Sequence, residues 1–124
     1  LYGPAGTVAQ LLVNLMQNSR LHAFAAGTVA GCIRIQARTG PDTVSICYAD
    51  DGAGMVAETL AHVFEPFYTT ARGQGGSGLG LYIAHNLVTQ GLHGSIDCHS
   101  TLGQGTRFDI SFPLQTFAEE PAPA

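Results

Sequence analysis

Cys32-Ile-Arg-Ile-Gln-Ala-Arg38, then Thr39-Gly-Pro-Asp42, then Thr43-Val-Ser-Ile-Cys-Tyr-Ala49 is the stretch whose reading decides the fold. Both flanks alternate apolar and polar side chains with period two, the pattern of a strand with one face on a core. Gly-Pro-Asp between them is turn chemistry, so residues 32–49 read as a hairpin. Upstream, Val8, Leu11, Leu12 and Leu15 recur at i, i+3, i+4 and i+7. That spacing predicts an amphipathic helix, entered through Pro4 and running to about Ala23. Downstream, Leu79, Tyr82, Ile83 and Leu87 return to helical spacing, with Gly91 as the stop. Ser95–Ser100 and Thr106–Pro113 then form a second hairpin around Thr101-Leu-Gly-Gln-Gly105, with Phe108, Ile110 and Phe112 alternating against Arg107, Asp109 and Ser111. The sum is helix, hairpin, loop, helix, hairpin. It predicts an α+β fold, a two-layer α/β sandwich whose mixed, mostly antiparallel sheet is covered on one face by helices. Residues 1–114 make one domain, and 115–124, ending Glu-Glu-Pro-Ala-Pro-Ala, read as a frayed tail.

Composition narrows the function. The chain has 124 residues, enough to bury a real core. Only 11% are charged and the net charge is −4, with five Lys+Arg in all, which argues against nucleic acid as a partner. No apolar run approaches the ~18 residues of a membrane span and no signal-peptide pattern opens the chain. The expectation is a cytoplasmic, monomeric domain without membrane contact of its own, whatever anchors a longer parent. Cys32, Cys47 and Cys98 form no CxxC motif and read as small buried hydrophobes in strands. The five histidines are scattered without metal-ligand spacing.

The sixteen glycines need a reason. Residues 50–78 contain Gly52, Gly54, Gly73, Gly75, Gly76 and Gly78, with one short helical piece near 56–63, and so long a glycine-rich connection predicts a lid or binding loop. Asp50-Asp-Gly-Ala-Gly54 begins where the second strand ends. It is either a strand-ending turn or a carboxylate set at a cleft where backbone approaches a flat ligand. Asn14 and Asn18 lie four apart on the first helix, as a solvated polar face or as uncharged amide ligands for Mg²⁺. Gly75-Gly-Ser-Gly-Leu-Gly-Leu81 leads into a helix, a start suited to an anion. Gly73-Gln-Gly-Gly-Ser-Gly78 matches GxGxxG, but Phe64-Glu-Pro-Phe-Tyr-Thr-Thr-Ala-Arg72 before it is no buried strand, which excludes a dinucleotide fold.

Taken in order, Asn14-x-x-x-Asn18, Asp50-x-Gly-x-Gly54, Phe64-Glu-Pro-Phe67, Gly76-x-Gly-x-Gly80 and Gly103-x-Gly-Thr106 closely resemble the ATP-binding catalytic domain of sensor histidine kinases. The superfamily is shared with DNA gyrase, the ninety-kilodalton heat-shock chaperone and the mismatch-repair ATPases, and the resemblance covers residues 4–114. It implies the family's ATP-binding α/β sandwich, with the lid over 64–77. It implies that Asn18 ligates the Mg²⁺ on the phosphates, with Asn14 facing the same pocket as catalytic companion and second metal contact. Asp50 then accepts from the adenine amino group, Gly52 and Gly54 let the base lie on backbone, and Thr106 helps bind adenine. Gly76, Gly78, Leu79 and Gly80 meet phosphate. Arg72 is either a γ-phosphate contact or a solvated charge. Hydrolysing relatives carry Glu where this chain has Asn14, which favours phosphoryl transfer. Many kinases also carry a Lys after the Asn18 position, whereas Ser19-Arg-Leu-His22 offers none. The partners implied are Mg·ATP, a dimerisation domain bearing the phospho-accepting histidine, and a response regulator. No histidine of this chain has an acidic residue after it. An anti-sigma-factor-type serine kinase and a non-catalytic nucleotide- or partner-binding module are the alternatives.

Overall fold

The computed structural model describes residues 3–20, 31–68 and 79–114. Helix α1 spans Gly3–Asn18 and places Leu11, Asn14 and Leu15 against the interior, with Val8 and Leu12 beside them. The expected extension to Ala23 falls beyond residue 20, outside the described residues. After Asn18 the helix widens into a π-type turn at Ser19 and Arg20, and 21–30 lie outside the described residues.

Strands β1 (Ile33–Thr39) and β2 (Thr43–Asp50) form the predicted hairpin, closed by Gly40 N–H donating to the Thr43 carbonyl at 2.8 Å. A short helix α2 (Ala57–Ala61) and helix α3 (Gly80–Asn86) follow, and α3 continues as a π-helical stretch, Leu87–Gly91. The regular helix expected to Gln90 is therefore loosened over its last turn. The left-handed backbone after it falls on His93 (φ 58°), not on Gly91. Strands β3 (Ser95–Ser100) and β4 (Thr106–Pro113) close the chain.

The sheet order is β1-β2-β4-β3, and every described pairing is antiparallel, so the mixed sheet expected above is not present among these strands. Period-two alternation sorts the side chains. Val44, Ile46, Tyr48, Ile96, Phe108, Ile110 and Phe112 point to the covered face, where Leu11 and Leu15 of α1, Ala84 of α3, Val88 and Leu92 complete the core. The opposite face carries Arg34, Gln36, Arg38, Ser45, Asp97, His99 and Arg107, all exposed. Phe64, after α2, lies against His85 and Phe108 (ring centroids 5.2 and 6.3 Å apart), which anchors the segment leading toward residue 68. The cysteines depart from expectation: Cys32 is exposed just before β1, and Cys47 and Cys98 are half-buried. No described helix is long and apolar enough to cross a membrane.

Candidate nucleotide site

Asp50 is the last residue of β2, on the covered face of the sheet and only 6% exposed. A carboxylate is tolerated at such a place only if donors surround it. They do. Oδ1 accepts from the Gly52 N–H at 3.0 Å, an Asx-type turn, and from the Thr106 N–H at 3.2 Å, the cross-strand partner. Oδ2 accepts from the Ser19 hydroxyl at 2.8 Å. An ionised carboxyl offers about four lone-pair directions. Three are filled by described residues, and a fourth direction, on Oδ2, remains among them for a ligand donor.

The turn after β2 is clamped to the turn between β3 and β4. Gly103 N–H donates to the Ala53 carbonyl at 2.6 Å, and Met55 N–H to Ser100 Oγ at 2.8 Å. Two glycines make this approach possible. A Cβ on Gly54 (φ +72°) would stand 2.1 Å from the Thr101 carbonyl oxygen, and one on Gly105 (φ +79°) 2.1 Å from that of Asp50. Gly54 thus has a reason to be small within the protein itself: the space a side chain would fill is taken by the backbone of Thr101.

Thr106 is buried beside Asp50. Ser100 donates its proton to the Gly105 carbonyl at 2.9 Å, so the 2.9 Å contact between the two hydroxyls is donated by Thr106. Thr106 Oγ1 keeps lone pairs only. Asp50 and Thr106 together form an acceptor-rich corner suited to a ligand N–H or a bridging water.

On α1, Asn14 is buried and engaged on both sides of its amide. Its Oδ1 accepts from Gln10 Nε2 at 2.7 Å, and its Nδ2 donates to the Gly80 carbonyl at 3.3 Å. It clasps α1 to the first residue of α3. Asn18, one turn on, is half-buried, and the Ser19–Asp50 bond fixes the end of its helix to the carboxylate. Leu79 precedes α3, its carbonyl accepting from Ile83 N–H at 2.8 Å. Arg72, Gly76 and Gly78 lie outside the described residues.

Sequence reasoning missed Ser19, Tyr48 and Ser100. Tyr48 is fully buried two residues before Asp50, and period two put it on the same face. Its hydroxyl lies 2.8 Å from Ser19 Oγ. Burial raises the phenol pKa, the Ser19 hydrogen bond opposes this and the Asp50 charge adds to it. Burial, with the Asp50 charge adding, pushes the Cys98 thiol up to about 12. A roomier groove of about 550 Å³, between Phe64, Tyr82, His85 and Ile96, does not contain Asp50. The site is marked by its buried carboxylate rather than by volume.

Comparison with known proteins gives the family of the chain. The family model described as histidine kinase-, DNA gyrase B- and HSP90-like ATPase matches residues 3–116. The chain is 37% identical over 116 residues to the autoinducer 2 sensor kinase/phosphatase LuxQ of Vibrio parahaemolyticus, covering 86% of this chain and 13% of that protein. It is 33% identical over 113 residues to sporulation kinase B of Bacillus subtilis, covering 91% of this chain and 25% of that one. The chain therefore spans a quarter or less of the length of these relatives. The catalytic domain of the histidine kinase ThkA superposes with a TM-score of 0.72 at 26% identity, covering 90% of this chain and 69% of that one.

Proposed function

The chain belongs to the histidine kinase-, DNA gyrase B- and HSP90-like ATPase family, and from that premise we propose that it is the ATP-binding catalytic domain of a sensor histidine kinase. It holds Mg·ATP for in-line attack by a histidine on a separate dimerisation domain, from which a response regulator then takes the phosphoryl group. The observation that carries the reading is the environment of Asp50: buried and, among the described residues, held by three donors with one lone pair left. That lone pair suits the exocyclic amine of adenine, with Thr106 Oγ1 as a neighbouring acceptor for an ordered water.

Asn18 is the side chain that would hold the metal. Its neutral amide oxygen fits an ion that reaches the site on phosphate oxygens and keeps part of its water shell. When bound, Mg²⁺ neutralises phosphate charge and aligns the γ-phosphoryl group. Gly76, Gly78, Leu79 and Gly80 are assigned to the phosphates, with Arg72 as the lid cation. Asn14 stands where a hydrolase needs a base, and an amide joined to Gln10 and to the Gly80 carbonyl takes no proton. Phosphoryl transfer then depends on positioning an external acceptor, not on activating water.

Calorimetry with ATP on the wild type and on Asp50→Asn tests the binding half. The variant should lose roughly tenfold or more in affinity, the worth of a hydrogen bond to a charged group. Undiminished affinity would remove Asp50 from the base site. Transfer of labelled γ-phosphate to an added acceptor domain tests the kinase half, and steady ATP hydrolysis by the chain alone would overturn it.

A further inference from the structure

Asp50 is the only charged member of a hydrogen-bonded line that starts in the apolar core. Tyr48 has no exposed surface, its ring sits at 6.2 Å from that of Phe108, and its hydroxyl meets Ser19 Oγ at 2.8 Å. Ser19 is equally inaccessible and meets Asp50 Oδ2 at 2.8 Å. Counting protons sets the direction. Ionised Asp50 only accepts, and a serine hydroxyl has one proton, so that proton lies on the Ser19–Asp50 contact. The Tyr48–Ser19 contact is then donated by Tyr48. Among the described residues the line runs Tyr48 to Ser19 to Asp50.

We propose that Tyr48 and Ser19 are positioning residues for base recognition: Tyr48 fixes the rotor of Ser19, and Ser19 fixes the carboxylate of Asp50 so that its one open lone pair faces the adenine amine. Oδ1 is held by backbone amides, which move only with the main chain. Oδ2 is held by a side-chain hydroxyl, which alone would rotate. Tyr48 supplies the restraint, since its phenol is locked by core packing and, among the described residues, Ser19 is the hydrogen-bond partner of its hydroxyl. Burial keeps that phenol protonated, as a donor must be. A carboxylate already oriented loses less freedom when the base arrives. Ser19 follows Leu11 and Leu15 at successive steps of four, on the same buried face, so the same helix end presents the metal-side amide and the base-side hydroxyl as consecutive residues.

The inference rests on the assignment of Asp50 to the adenine amine, and its test separates the two. Affinities of the whole chain for ATP and for the triphosphate of unsubstituted purine riboside, which lacks the 6-amino group, are measured for wild type, Tyr48→Phe, Ser19→Ala and the double variant. Tyr48→Phe removes one oxygen and keeps the ring in the core. The wild type should favour ATP by roughly tenfold or more; equal affinities there would overturn the amine assignment itself. Given that preference, Ser19→Ala and Tyr48→Phe should each shrink it severalfold by weakening ATP alone. The double variant should match Ser19→Ala, because Tyr48 acts only through Ser19. An unchanged preference in Tyr48→Phe, or equal losses for both nucleotides, would overturn the proposal and leave the two residues a structural role.

Discussion

Along the covered face of β2 and β4 four cross-strand pairs follow one another: Val44–Phe112, Ile46–Ile110, Tyr48–Phe108 and Asp50–Thr106. The first three are apolar, the last is not, and all share one sheet and one register. At the apolar end the attraction is non-directional, so what matters is volume and contact with Leu11, Leu15 and Val88. At the polar end every partner is placed by angle and distance, because a buried carboxylate costs several kcal/mol unless donors meet it. Tyr48 belongs to both ends, its ring in the core and its hydroxyl in the polar line. A rigid core thus serves as the mount for a buried carboxylate one pair further along the strand.

Variants along this face break the comparison in graded ways. The largest effect is expected at the apolar end. Phe108→Ala should cost about 3–5 kcal/mol of stability through lost burial and a cavity, read by urea unfolding, and a loss below about 1 kcal/mol would deny that the core converges on Phe108. Next comes Gly105→Ala. Its left-handed φ and the 2.1 Å approach to the Asp50 carbonyl predict about 1–3 kcal/mol of destabilisation, together with weakened ATP binding as the end of β2 is displaced. Native stability with native affinity would show that the two turns tolerate separation. The smallest effect belongs to the other side of the same strands. Asp109 meets Arg107 Nε at 3.1 Å and His99 Nε2 at 3.3 Å, all substantially exposed. Asp109→Asn should therefore change stability by no more than about 0.2–1 kcal/mol and leave nucleotide affinity alone. A larger loss would give the open face a part in holding the sheet that its exposure denies.

The two hairpins were readable because alternation of period two survives wherever one face is covered. The same reading places Tyr48 beside Asp50, although it says nothing of what the phenol touches. Other features were hidden. Gly54 announces a turn, but its contact with the Thr101 carbonyl joins positions 47 apart in sequence. The helical spacing of Leu79 to Leu87 carries no sign that the last turn widens. Nor does strand patterning say that β4 lies between β2 and β3, or that Cys32 ends up exposed while Cys98 is half-buried.

Local chemistry therefore settled which segments become strands and helices and which faces they bury, whereas Asp50, Asn14 and Asn18 stayed open between turn or surface chemistry and a site until their order along the chain was read. Patterns of period two and 3.6 are written in neighbouring residues and need no distant partner to be read. The tertiary structure alone decided what each of these groups meets. It gave Asn14 to the start of α3, Gly54 and Gly105 to the close approach of two turns, and Ser19 to the space between Tyr48 and Asp50. Those bonds join segments up to 66 positions apart, as Asn14 and Gly80 are, and a hydrogen bond has no meaning until folding has brought its donor within about 3 Å of its acceptor.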